Sequence, residues 1–260
     1  MRDIVEYVYG LDFLILYPLI ALLILGAAEA GGLIGRWHRG PQTNLGDMGT
    51  LTGAAIGLFG LLLAFNFSFA LARFDVRRTM VLEEANAISS TANFALMLPE
   101  TDRKPILSLL RDYAAVRAGL GIPYDSARLQ HDIDRSLDLQ ARLWQQAVSA
   151  TSAAPQSLPA YRFVASLNEV NNIHERRLTA LRYHIPAEIR FMLVGVGMVA
   201  MGFTGYHAGL NGAHRRVANL IMAATAATLI AGVVDLDRPS RGLIEVPVQP
   251  LIDAENGIVS

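Results

Sequence analysis

Apolar positions along the chain follow two patterns. Four blocks, Phe13 to Ile34, Gly49 to Leu71, Ile189 to Leu210 and Val217 to Val234, are apolar almost throughout. Between the second and third, apolar residues recur at intervals of three and four among charged ones. An apolar block of about 20 residues spans the hydrocarbon layer of a bilayer at roughly 1.5 Å per helical residue. The blocks therefore predict four membrane helices.

The second block is the one around which the others are arranged. From Gly49 to Leu71 it carries no ionisable side chain. At Arg73-Phe74-Asp75-Val76-Arg77-Arg78 it turns abruptly charged, yet it reaches Leu98 without a proline or glycine. This predicts one continuous helix that leaves the membrane at Arg73 and becomes a pillar of a helical domain.

That domain shows helical periodicity almost throughout. Ile106, Leu109, Leu110, Tyr113, Val116 and Leu120 form one apolar stripe, and Leu129, Ile133, Leu137, Trp144 and Val148 a second. Phe163, Leu167, Val170, Leu178, Leu181 and Ile185 form a third, and no alternating strand pattern competes. Thr101/Asp102 and Asp125/Ser126 are candidate helix caps, with Pro99, Gly121/Pro123 and Pro155/Pro159 as breaks. The expected organisation is 1–73 for the first two spans, 74–188 for the helical domain, 189–235 for the last two spans and 236–260 for a polar tail. The fold class is an all-α membrane protein.

Composition agrees: the 260 residues are 52% apolar and 17% charged, and mean hydropathy is +0.34. Globular chains carry roughly a quarter charged residues. A net charge of −1 gives no support for nucleic-acid binding, and the absence of cysteine excludes disulfides and thiolate chemistry. A secretory leader is the rival reading of the first block, with a small-residue site at Ala28-Glu29-Ala30. Arg2 is outweighed there by Asp3, Glu6 and Asp12, so the positive leader is missing and retention as a span is expected.

Charge placement sets the topology. Both termini and the helical domain share one side, which holds Arg2, Arg73, Arg77, Arg78, Arg176, Arg177, Arg182, Arg190, Arg238 and Arg241. The opposite side holds only Arg36, Arg39, Arg215 and Arg216, so the helical domain is expected in the cytoplasm. Small residues four apart, Gly205/Gly209, Ala223/Ala227/Ala231 and Gly53/Gly57, predict close contact between membrane helices.

Candidates for chemistry are few. His38, His131, His174, His184, His207 and His214 form no metal-ligand spacing, and no catalytic or cofactor motif occurs, so neither enzyme, metal site nor cofactor is expected. His174 lies on an apolar stripe and reads as a hydrogen-bonded core histidine. Glu29 is the one acid well inside a span. It either faces a bundle interior or snorkels to the outer surface towards Arg36. Near the membrane face, Arg73, Arg77 and Glu84 read as a salt-bridged collar or as charges at a pore mouth. Neither Arg77 nor Arg78 has an acid at the following four-residue position, which leaves Arg77 to reach a neighbouring segment.

Within the second span, Phe65-Asn66-Phe67-Ser68-Phe69 places aromatics on several faces, and Asn66 needs a partner or water. Gly57, Leu61, Phe65 and Arg73 lie on nearly one line. In a ring of identical helices that line, with Asn66 and Phe69 beside it, would form a constriction with a basic mouth. Phe ring edges carry partial positive charge, which suits a passing anion, and apolar constrictions gate by dewetting.

Leu61-Leu62-Leu63-Ala64-Phe65, Ala72-Arg73-Phe74-Asp75-Val76-Arg77-Arg78 and Val81-Leu82-Glu83-Glu84-Ala85-Asn86-Ala87-Ile88 resemble the bacterial bestrophin-like domain family. So do Leu167-Asn168-Glu169, His174-Glu175, and the tail Asp235-Leu236-Asp237-Arg238-Pro239-Ser240-Arg241-Gly242-Leu243-Ile244 with Gln249-Pro250-Leu251. The resemblance covers nearly all of the chain from the second span onward. It implies a homo-oligomeric, pentameric ion channel of the bacterial inner membrane, anion-conducting, with both termini cytoplasmic and its pore lined by the second span. Gly57, Leu61 and Phe65 match the bestrophin neck by position, with Arg73-Phe74 following. Ala64 stands where the family has Gly, and Phe65 alone of the matching neck positions is aromatic. Asp235 and Asp237 sit where eukaryotic bestrophins have a calcium clasp, but two carboxylates followed by Arg238 suit calcium poorly. The competing class is a non-conducting scaffold or sensor whose helical domain binds a protein partner. A proton-coupled transporter using Glu29 would need a pair of broken helices, which the sequence lacks.

Overall fold

The computed structural model describes residues 13–39, 45–120, 126–183, 185–212, 216–238 and 244–258. Among them every regular element is helical: α1 (Phe13–Trp37), α2 (Leu45–Ala95), α3 (Glu100–Gly119), α4 (Ser126–Ala153), α5 (Leu158–Arg182), α6 (Ala187–Leu210), α7 (Arg216–Asp237) and α8 (Gln249–Gly257). Four helices are long and apolar enough to cross a membrane, within Ile15–Trp37, Met48–Ala95, Glu188–Leu210 and Val217–Asp237. The second is the 51-residue α2, which no proline interrupts. The described residues within 13–72, 185–238 and 244 form one compact unit, and those within 73–183 and 245–258 form another.

The first unit is held by backbone contact between α1 and α6. A Cβ on Gly31 would overlap the carbonyl oxygen of Gly202, and one on Gly205 would overlap that of Ala28. Gly35 against the Tyr206 carbonyl and Gly209 against that of Gly32 repeat the arrangement one turn further along. Where lipid is as apolar as any side chain, such close approach is what holds helices together. Leu16, Ile20, Ile24 and Ala28 bury the adjoining ridge of α1 against Ala223, Ala226, Ala227 and Ile230 of α7. Gly53 and Gly57, expected to pack in the same way, have open space where a Cβ would sit. The α2 contact instead runs through Phe59, whose ring lies over Gly197.

The second unit packs the later half of α2 against α3, α4, α5 and α8. Ile88, Ile106, Leu110, Leu143, Phe163 and Leu167 form the centre of its core. Two expectations need correction. The buried face of α4 is Ile133, Ser136, Gln140, Leu143 and Ala147, so Leu137, Trp144 and Val148 of the expected stripe are exposed. The C-terminal segment is not simply a polar tail: α8 buries Leu251 and Ala254 in this core, Ile258 just beyond it is buried there too, and Arg111 Nη2 donates to the Ile258 carbonyl. Helix ends also differ. Pro99 precedes α3 without a side-chain cap, leaving Asp102 in the first turn, while Ser157 caps α5 by accepting from the Ala160 N–H at 3.3 Å. The Asp125 cap and the Gly121/Pro123 break lie outside the described residues, as do His184 and His214.

Gly205→Val should force the α1 backbone aside and cost at least about 2 kcal/mol, as overpacking of a rigid contact does. Gly26→Ala, where a Cβ meets open space, should leave stability within about 1 kcal/mol. Melting of the detergent-purified chain and its two variants checks both.

Candidate functional site

Helical geometry sorts the side chains of α2 into two faces. At about 100° per residue, Phe59, Asn66, Ala70 and Arg77 fall on one ridge, and all of them are buried. Diametrically opposite lie Gly57, Leu61, Ala64 and Ser68, all exposed in the subunit. Leu61 and Phe65 are each 53% exposed. A four-residue step overshoots a full turn by about 40°, so the expected line from Gly57 through Leu61 and Phe65 rotates steadily round the helix. By Arg73 it has turned about 160°, and Arg73 is half-buried. Phe69 lies well off the strip but is still exposed.

Asn66 is not on the exposed strip. It is 2% exposed, and its Nδ2 donates to the Leu62 carbonyl at 2.8 Å while Oδ1 is buried without a partner among the described residues. One residue beyond Phe65 is a rotation of about 100°, which carries the amide into the subunit. Ser68 is the polar side chain the strip does present. Steps of four, three and four from Gly57 reach it, where steps of four alone miss it.

The expected charges of a pore mouth are placed differently again. Arg77 is buried in the second unit, with Nε donating to the Ala180 carbonyl at 3.3 Å and Nη2 to that of Tyr183 at 2.9 Å. It thus brings a cation to the carbonyl end of α5, where the helix dipole favours one.

Glu84 is 0% exposed, so it faces no solvent in this subunit. Its Oε1 accepts from Arg117 Nε at 2.6 Å and from the Tyr113 hydroxyl at 3.1 Å. Its Oε2 accepts from Arg177 Nη1 at 2.5 Å and Arg117 Nη2 at 3.4 Å. Arg177 Nη1 also donates to the Arg117 carbonyl at 3.2 Å. Gln140 Nε2 donates to the Tyr113 hydroxyl at 3.3 Å, and His174 Nδ1 lies 3.1 Å from that hydroxyl. One carboxylate thereby ties α2 to α3 and α5, and Tyr113 extends the network to α4. Spacing along α2 reveals only neighbours on α2, whereas both guanidiniums arrive from other helices. His174 is the hydrogen-bonded core histidine expected. Burial and the nearby Arg117 guanidinium push it down to about 4, and burial pushes the Tyr113 phenol well above its usual range.

The remaining candidates are scattered. Glu29 is half-buried on α1, and Arg36 Nε donates to the Gly32 carbonyl at 3.3 Å. Asp237 accepts the Ile185 N–H at 3.0 Å and Arg190 Nη1 at 3.0 Å, and Asp235 accepts the Ile244 N–H at 3.1 Å. Both carboxylates serve the protein's own donors, and no group of three or more His, Cys, Asp or Glu converges among the described residues.

The sequence profile of the Bestrophin-like domain matches residues 21–251. No curated protein matches the chain by sequence. Among solved structures, a bacterial bestrophin homologue from Klebsiella pneumoniae, phased on zinc, superposes with a TM-score of 0.70 at 12% identity, covering 92% of this chain and 96% of that one. Two point-substituted forms of the Klebsiella homologue give TM-scores of 0.69 at 14% identity and 0.71 at 12%, with the same coverage. At such identities the likeness shows the fold.

Glu84→Gln would leave two guanidiniums sharing a neutral amide in a dry core. It should destabilise the chain by about 3–5 kcal/mol, read from denaturant or thermal melts in detergent. His174, with its folded value at about 4 against an ordinary 6.5, takes up its proton more readily when unfolded. Its contribution is complete above about pH 6.5 and is lost as pH falls towards 4, on the order of 2–3 kcal/mol. His174→Asn should flatten that part of the pH profile of melting.

Proposed function

Because the chain belongs to the bestrophin-like family, a family of membrane proteins, we propose that it forms a homo-oligomeric channel for passive ion conduction. The reading takes a pentamer in the bacterial inner membrane, with the unit built from α3 to α5 and both termini in the cytoplasm. Arginine placement supports that orientation. The observation that carries the reading is the exposed strip Gly57, Leu61, Ala64 and Ser68 of α2, flanked by Phe65. It has no ionisable side chain, lies opposite the face that packs inside the subunit, and brings small residues where copies of α2 would approach an axis. Repeated round a ring, it makes an apolar constriction with hydroxyls and aromatic edges. That lining suits a weakly hydrated anion such as chloride better than a cation. Phe69 flanks the strip further round, and Arg73, where the apolar run ends, lies on the opposite side of the helix.

A rival reading is a non-conducting scaffold. It is favoured by the exposed apolar stripe Leu137, Trp144 and Val148 on α4, which the subunit leaves uncovered and a protein partner could cover.

Chloride and potassium flux into liposomes holding the purified oligomer separates the two. The channel reading predicts chloride flux above empty liposomes, exceeding potassium flux, and altered several-fold by Leu61→Ala or Phe65→Ala. Asn66→Ala should lower stability and leave ion preference unchanged. Flux equal to empty liposomes from folded, oligomeric protein, with no continuous axial path in its structure, would sink the channel.

A further inference from the structure

Beyond its apolar run, α2 keeps the two-faced character it has within it. Val81, Ala85, Ile88 and Ala92 bury one side of the helix in the core of the second unit. At about 100° per residue, Asp75, Thr79, Asn86 and Asn93 fall within about 20° of Ser68, with Ser90 about 40° round. All of them are exposed. They prolong the face that presents Gly57, Leu61, Ala64 and Ser68.

This face is unlike an ordinary water-facing one. The exposed side of α4 carries Arg128, His131, Asp134, Arg135, Asp138 and Arg142, the charged and titratable groups that solvated surfaces favour. On α2 the corresponding positions hold short uncharged groups, the hydroxyls of Thr79 and Ser90 and the amides of Asn86 and Asn93, with Leu82 exposed at the edge. Asp75 is the one ionisable residue within about 40° of the line. Glu83 and Arg78 stand about 60° and 80° to either side and offset each other. The Asp75 carboxylate makes no ion pair among the described residues. Short polar side chains with a single repeated carboxylate suit a wet passage between copies of one helix.

We propose that Asp75 sets the ion preference of the path: repeated round the oligomer axis, its carboxylates form an acidic ring that concentrates cations and holds back anions. The inference rests on the channel reading of the α2 strip and adds the residue that tunes it. The ring lies two helical turns, about 10 Å of rise, beyond Ser68. That is about one Debye length at 0.1 M salt, so its potential reaches the constriction. Aromatic edges beside the strip admit an anion and the ring opposes it. Chloride preference is therefore weaker with Asp75 than without it.

The test uses the full chain, purified as the oligomer. Asp75 is exposed and outside the core, so Asp75→Asn leaves the fold intact. In liposomes it should raise the ratio of chloride to potassium flux by about threefold or more. Thr79→Cys, on the cysteine-free background, reads the local potential without need of conduction. Thiol reagents of equal size and opposite charge are compared there, each normalised to its rate with a free thiol. The cationic one should react faster by about tenfold or more in roughly 0.1 M salt, and Asp75→Asn should bring the ratio close to one. A lone carboxylate one turn away, at about 6 Å, would separate the two by only about fourfold. A conducting chain whose flux ratio is indifferent to Asp75→Asn overturns the acidic ring. So does a Thr79→Cys rate ratio that is smaller than expected or unmoved by Asp75→Asn. A chain that conducts nothing but shows the full Asp75-dependent rate ratio sinks the channel reading and upholds the ring.

Discussion

A carboxylate taken entirely out of water must be matched by its surroundings, and the second unit is built around meeting that demand at Glu84. Two guanidiniums and a phenol converge on its two oxygens. Each comes from a helix whose apolar stripe would by itself tolerate sliding or rotation. Leucine and alanine faces set which sides of α2, α3 and α5 are buried; the charge network sets their register. Its geometry permits no half-measure, since removing one partner leaves the others buried and unpaired. The same cluster explains why α4 turns Ser136 and Gln140 inward and leaves Trp144 outside: Gln140 is needed at the Tyr113 hydroxyl.

The membrane-type unit obeys a different constraint. Its helices gain nothing from hiding apolar surface from lipid, so specificity comes from how closely backbones can meet. Gly31, Gly35, Gly205 and Gly209 make α1 and α6 a single tight pair, and the alanine ridge of α7 fits against α1. α2 joins through Phe59, with Ala55, Ile56, Leu62 and Leu63 packed beside it, and leaves Gly53, Gly57 and Gly60 in open space. Glycines that pack on nothing within the subunit are free to line an axis or to meet a second copy. On that freedom the channel reading rests.

Much of this was legible in the sequence. The apolar blocks, the uninterrupted α2 and the core stripes of α3 and α5 follow from local composition and periodicity, which one chain carries in full. Gly205/Gly209 and the alanine ladder were readable as contacts. Gly53/Gly57 share their spacing and make no contact inside the subunit, because spacing reports a smooth face and not what covers it. The face of α4, the burial of α8 and the position of Glu84 depend on partners far along the chain. No window of neighbouring residues contains them. Two departures have a simpler reason: Arg73 leaves the line through the accumulated 40° drift of a four-residue step, and Asn66 through the 100° rotation of one residue beyond Phe65.

The central claim is that one face of α2 meets an aqueous path while the other is packed in protein. The chain has no cysteine, so single substitutions to cysteine can be made without altering the background. The most direct measurement is the rate at which a charged, water-soluble thiol reagent modifies them in the reconstituted oligomer. The account predicts modification of Leu61→Cys, Ala64→Cys and Ser68→Cys, with protection of Phe59→Cys and Ala70→Cys. Protection of all five positions, or modification without regard to helix face, would contradict it.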